Sequence, residues 1–327
     1  MREVLLVAGP ERGPARGAAP LQFVPSILYV LLVALLTGCG QTGPSVVVYT
    51  SQDLVYAEPI FKDFEKQTGI KVLPVYDSES VKTVALANRL LQESPHPQCD
   101  VFWNNEEFRT RQLAARNVFR EVDGWAQLGY RSRRMLINTN LLPLGQAPKT
   151  FSDATNEMWR GKVALAYPLY GTTSTHFLAL RQRWGDAAWQ TWCRALLANQ
   201  PKVVDGNSVV AKLVAGGEAW IGFADSDDIA AEQHDGKPVV ALPVSDETLF
   251  LHNTVAIVRG APHPAEAQRL FDYLQSKDVS QKLVDAQALE GAKLDATPSQ
   301  PGLTVDWNSL LRDLDPATAE MEKIFLR

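Results

Sequence analysis

Cysteine is scarce in this chain: Cys39, Cys99 and Cys193 are the only three in 327 residues. Their spacing forms no CxxC pair and no metal-ligand pattern, which argues against a disulfide framework and a structural zinc site. The chain also lacks a P-loop, a G-x-G-x-x-G turn and a G-x-S-x-G elbow. A nucleotide cofactor and a hydrolase serine are therefore without their usual cradles. No Lys/Arg run is long enough to track a polyanion, and the net charge is -5, so nucleic acid is not an expected partner. Charged residues make up 21% and hydrophobic residues 46%, enough apolar material for one large domain or two lobes with separate cores.

The first apolar feature is "LQFVPSILYVLLVALLTGC", which follows Arg2, Arg12 and Arg16 and ends at Cys39. Its length suits a signal peptide over residues 1–38, and Pro25 breaks it short of the roughly 20 apolar residues a spanning helix wants. Leu36, Thr37, Gly38 and Cys39 resemble a bacterial lipobox. That resemblance implies cleavage before Cys39, a lipid on its thiol, and a tether over 39–45; a transmembrane anchor is the alternative. Cys99 and Cys193 sit in apolar contexts and read as buried thiols.

From Val46 onward strands and helices alternate. "SVVVYTSQD" reads as a buried strand ending in small polar residues, and "YAEPIFKDFEKQTGI" as an amphipathic helix with Ile60, Phe61 and Phe64 inward, stopped by Gly69. A strand ("KVLPVYD"), a helix ("SVKTVALANRLLQES") and a strand running into "WNNEE" follow. The rhythm recurs after "KVALAYP" and again up to "WIGFADSDD". Such alternation predicts two largely parallel sheets with helices on both faces, and ligands beyond the carboxyl ends of the strands. The C-terminal region reads as the strand "NTVAIVRG", the helices "PAEAQRLFDYLQS" and "SQKLVDAQA", and a polar tail with a last helix at "PATAEMEKIFLR".

Polar groups at those strand ends are the candidate site. "YGTTSTH" offers Gly171, Thr172, Thr173 and Ser174 at a helix start, which fits an anion held by backbone N–H groups and hydroxyls, or an ordinary N-cap. Asn207 and Ser208 open the next helix in the same way. Asp225, Asp227 and Asp228 form an acidic cluster that fits a hard cation, the hydroxyls or ammonium of an organic solute, or a favoured place at a helix N-terminus. A triad through His176 has no evident orienting carboxylate. The five histidines are scattered.

The stretches "VVVYTSQD", "FEKQTGIKV", "CDVFWNNEE", "YRSRRMLINTN", "WRGKVALAYP", "GNSVVAKLVAGGEAWIGFADSDD" and "APHPAEAQRLFDYLQS", in that order, resemble the periplasmic solute-binding proteins of ABC transporters, the ferric-iron-binding group in particular. The resemblance implies an α/β, two-lobed periplasmic binding protein fold of type II, with hinge strands near "MLINTN" and "FLHNTVAIV". It implies lobe I over 46–137 and 254–281, and lobe II over 138–253 and 282–327. The implied function is the substrate-binding component of an importer for ferric iron with a synergistic anion, or for a small organophosphate, phosphonate or other anionic solute; a hydrolase or an adhesive receptor domain is the alternative of another class. No enzyme activity and no cofactor is implied, apart from possible Fe(III) plus anion as cargo. Partners would be a small solute, the permease and ATPase subunits, and the membrane through the lipid anchor, with the protein a monomer in the periplasm or at the cell surface.

In iron-binding members a Tyr-Tyr pair stands where this chain has Asp227 and Asp228, a histidine often stands near "TSQD", and a carboxylate and an amide stand where it has Asn105 and Glu106. Carried over by position, the expected ligand-binding residues are Ser51, Gln52, Asn105, Glu106, Gly171, Thr172, Thr173, Ser174, Asn207, Ser208, Asp225 and Asp227, with Asp227 and Asp228 as metal ligands. The anion half of the family site survives better than the metal half.

Overall fold

The computed structural model describes residues 43–77, 84–292 and 301–326; the expected signal segment and Cys39 lie outside them. In chain order the strands are β1 (Ser45–Thr50), β2 (Lys71–Tyr76), β3 (Val101–Asn104), β4 (Trp125–Asn138), β5 (Val163–Ala166), β6 (Lys202–Val204), β7 (Ile221–Asp225), β8 (Val239–Ala241) and β9 (Leu249–Ile257). The helices are α1 (Leu54–Thr68), α2 (Val84–Glu93), α3 (Glu107–Ala115), α4 (Gly171–Trp184), α5 (Asp186–Ala198), α6 (Asn207–Ala215), α7 (Ser226–His234), α8 (Pro264–Leu274), α9 (Lys277–Asp285) and α10 (Trp307–Phe325).

Local sequence explains most of these elements. In α1 the inward stripe is Ile60, Phe61 and Phe64, and Gly69 ends the helix at φ +70, donating its N–H to the Glu65 carbonyl. Strands β3, β5 and β7 are buried at every position, as parallel strands covered on both faces must be. The last helix differs from its sequence expectation. It begins at Trp307 rather than at Pro316, capped by the Asp306 carboxylate, which accepts from the N–H groups of Asn308 and Ser309 at 3.1 Å. Burial of Leu310 and Leu314 ahead of Pro316 continues the stripe of Ala317, Met321 and Ile324 and outweighs the backbone bond the proline removes.

The strands are ordered β2-β1-β3-β9-β4-β7-β5-β6, with β8 also on β4. Two parallel groups, β2-β1-β3 and β7-β5-β6, are thus joined by the antiparallel pair β4 and β9. Over Trp125–Arg133, β4 pairs with β9; over Arg133–Ile137 it pairs with β7. The segment "MLINTN" overlaps the end of β4, and "FLHNTVAIV" overlaps β9. Gly129, at φ +138, marks a register shift in the β4 pairing with β9, and the Gly291 carbonyl packs where its side chain would be.

Each strand group carries apolar cores on both faces. The first is covered by Val46, Phe61, Phe64, Trp103 and Leu270 on one side and by Tyr49, Leu90, Phe102 and Leu113 on the other. The second is covered by Leu165, Phe177, Trp189 and Phe223 on one side and by Leu136, Val210, Val214 and Ile229 on the other. Cys99 and Cys193 are buried in these cores. No helix among the described residues is long and apolar enough to cross a membrane.

Gly222 sits where α6 presses on β7. A Cβ there would lie 2.6 Å from Leu136 Cδ2, 2.8 Å from Val210 Cγ1 and 2.9 Å from Val214 Cγ2. Gly222→Ala is expected to destabilise by about 1–3 kcal/mol, read as a lower denaturant midpoint at unchanged slope.

Candidate functional site

Parallel strands within a group end on the same side, so the residues after β3, β5, β6 and β7 converge. Asn105, Tyr167, Tyr170, Gly171, Thr172, Thr173, Asp205, Gly206, Asn207, Asp225 and Asp228 line one small cavity, together with Arg131 from the middle of β4. Three helices begin at this cavity. The residues before α4, α6 and α7 are Tyr170, Gly206 and Asp225, and none closes its helix with a side-chain cap. Their first-turn N–H groups and the positive ends of their dipoles favour an anion there. Gly171 takes φ +55, a left-handed conformation that glycine adopts without strain, as it enters α4.

The acidic cluster is not bare. Pairing of β4 with β7 sets Arg133 directly opposite Asp225. Arg133 Nη1 donates to Asp225 Oδ1 at 2.8 Å and to Asn207 Oδ1 at 2.8 Å. Arg131, two residues earlier on the same strand face, places Nη2 3.0 Å from Asp225 Oδ2 and Nη1 2.5 Å from Asp227 Oδ2. The Thr172 hydroxyl donates to Asp225 Oδ2 at 2.8 Å, and Asn207 Nδ2 donates to Thr172 Oγ1 at 3.0 Å. Oxygens of Asp225, Asp227 and Asp228 lie within 4.8 Å of one another.

Protonation follows from this network. Burial alone would raise the Asp225 carboxyl, but Arg131 and Arg133 outweigh it and hold the group below the usual carboxylate range. Burial alone would lower Arg131, but Asp225 and Asp227 hold it above the ordinary arginine value. Burial, then the charges of Asp227 and Asp228, push the Tyr56 phenol up, so it resists ionisation.

The other expected site residues fall around this centre. The Ser51 hydroxyl lies 2.5 Å from Asn104 Oδ1 and accepts from the Asn105 N–H at 2.9 Å, which places it behind Asn105 rather than in the lining. Gln52 Oε1 accepts from Asn253 Nδ2 at 2.7 Å. Glu106 caps α3, accepting from the N–H groups of Phe108 and Arg109 at 2.7 and 3.1 Å, and burial raises its carboxyl. Thr173 Oγ1 lies 3.2 Å from Asn207 Oδ1; Ser174 is buried in the first turn of α4, and Ser208 follows Asn207 in α6.

His176 is a core histidine. Its Nε2 lies 2.8 Å from the Glu247 carbonyl, its ring meets Phe151 edge-on at 4.4 Å, and burial, then Arg133, pushes its pKa down to about 3. Sequence reasoning missed Arg131, Arg133, Tyr167 and Tyr170 as site residues. The alternation R-S-R inside an apolar strand was the available signal, since it sets two guanidinium groups on one face.

A family model for bacterial extracellular solute-binding proteins matches residues 46–286. The chain belongs to that family. Among the relatives of this solute-binding protein is the major ferric iron-binding protein of Neisseria meningitidis, 23% identical over 291 residues, covering 80% of this chain and 85% of the relative. Apo ferric ion-binding protein A of Pasteurella haemolytica superposes with a TM-score of 0.74 at 18% identity, covering 86% of this chain and 98% of the other. The periplasmic binding protein AfuA of Actinobacillus pleuropneumoniae, solved with exogenous fructose-6-phosphate bound, superposes with a TM-score of 0.74 at 18% identity, covering 87% and 99%. These likenesses establish the fold of the solute-binding protein as the α/β two-lobed periplasmic binding protein type.

Asp225→Ala leaves two buried guanidinium groups short of their shared acceptor and is expected to cost about 3–5 kcal/mol in denaturant unfolding. Asp246→Ala, which breaks a pair with Arg183 that is 42% and 56% exposed, should change stability by about 1 kcal/mol or less. Because the folded value for Asp225 is depressed, its contribution is complete above the unfolded carboxylate pKa of about 4 and is lost as pH falls through the folded value. The acid limb of a stability-versus-pH curve should therefore be shallower in Asp225→Ala than in the wild type.

Proposed function

We propose that this protein is the extracytoplasmic substrate-binding component of an ABC importer and that its cleft takes a small organic anion carrying hydroxyls, a phosphate ester or phosphonate. One observation carries the reading: three helix starts without side-chain caps open onto one cavity beside Arg131, across from acids that already have guanidinium partners. The oxyanion would sit on the backbone N–H groups of Gly171, Thr172 and Asn207 and on the N–H and hydroxyl of Thr173. Asp225, Asp227 and Asp228 would accept from solute hydroxyls.

Transport needs no bond chemistry at this site, and the protein acts by closing and opening. Lobe I (46–137 and 254–281) brings Asn105 backed by Ser51, with Gln52 nearby; lobe II (138–253 and 282–327) brings the remainder; β4 and β9 form the hinge. Solute contacted from both lobes favours closure through its differential affinity for the closed state. A lipid on Cys39 would keep the monomeric protein at the membrane, beside the permease and ATPase subunits.

Ferric iron with an accompanying anion is the second reading, supported by the names of the relatives and by the three carboxylates within 4.8 Å. Metal analysis of protein purified from cells, followed by thermal-shift titration with fructose 6-phosphate, other organophosphates and iron salts, separates the two. A phosphate ester at a hundred times its dissociation constant should stabilise the protein by about 2.7 kcal/mol. Replacing Thr173 and Asn207 together by alanine should weaken that binding while the protein still folds; unchanged affinity would remove both residues from the site. Iron at one per chain, with no response to organophosphates, would favour the second reading.

A further inference from the structure

Three carboxylates within 4.8 Å of one another at the heart of a cleft need a cation. In this protein the cations are already in place. Arg131 reaches Asp225 at 3.0 Å and Asp227 at 2.5 Å, and Arg133 reaches Asp225 at 2.8 Å. Both arginines are buried, at 3% and 0% exposure. A trivalent ion entering this cluster would meet two fixed positive charges in a water-poor setting, where like charges repel far more strongly than in bulk water. The donors present therefore do not fit ferric iron as they stand. Arg131 also lines the cavity, and its Nε is buried with no hydrogen-bond partner among the described residues.

We infer that Arg131 decides what the cleft accepts: its guanidinium takes the place of a metal ion among Asp225, Asp227 and Asp228, so solute binds without iron, and removing it opens the cluster to a hard cation. This rests on the organic-anion reading above. Arg131 turns the acids from metal ligands into positioned acceptors for hydroxyls, and the same side chain lines the cavity that would hold the solute. Arg133 positions Asp225 and Asn207 in the same arrangement.

The test compares wild type, Arg131→Ala and Arg131→Lys, each freed of metal by a chelator, in titrations with terbium(III), followed by sensitised luminescence, and with ferric nitrilotriacetate, followed by melting temperature. Wild type and the lysine variant are expected to show neither luminescence gain nor a melting shift. The alanine variant should melt lower in metal-free buffer, recover on adding terbium, and bind it at least about tenfold more tightly than wild type. A folded alanine variant with wild-type indifference to terbium would overturn the inference, as would a lysine variant that binds terbium like the alanine one. If the alanine variant does not fold, the wild type still decides: ferric nitrilotriacetate raising its melting temperature, or iron purifying with it at one per chain, overturns the role given to Arg131. A wild type that ignores both metals and phosphate esters removes the solute assignment alone and leaves the arginine in its role.

Discussion

The buried contact of Asp225 with Arg131 and Arg133 is the constraint around which the cleft is arranged. Asp225 ends β7 and starts α7, so its carboxylate lies where a strand tip and a helix N-terminus coincide. Its partners come from β4, the strand shared by both halves of the sheet. Two guanidinium groups and the Thr172 hydroxyl satisfy its oxygens, which is what allows charged side chains to remain at 0–3% exposure in a protein interior. Removing Asp225 would leave Arg133 without its carboxylate partner. The same network orients Asn207 and Thr172, which line the cavity.

Arg133 pairs through its backbone with Leu249 of β9 and with Asp225 of β7, so it sits where the two strand groups meet. The helix starts of the second group and Asn105 of the first line one cavity beside these strands. Ser51 holds the Asn105 backbone from behind, and Glu106 caps α3 next to it, so this side of the cavity is braced by local hydrogen bonds.

Much of the architecture was legible in the chain. Strand and helix alternation, the inward stripe of α1, its stop at Gly69 and the convergence of polar strand tips all follow from local periodicity and from the geometry of parallel sheets. Thr172, Thr173, Asn207 and Asp225 were readable as a group because each lies at or just after the end of a strand. The start of α10 was hidden by Pro316, since the burial that carries the helix past a proline depends on distant partners. Arg131 and Arg133 were hidden for a similar reason. In sequence they are two of several basic residues on a strand, and only the pairing of β4 with β7 sets them beside Asp225, 92 residues away from Arg133.

By itself, then, the sequence determined the fold class, the order of elements and the polar tips that would line a cleft, because these depend on short-range patterning of apolar and small residues. The tertiary structure alone decided the charge state of that cleft. Coulombic partners act over a few ångströms of space whatever their separation along the chain, so it is strand register that brings Arg131 and Arg133 onto Asp225 and Asp227.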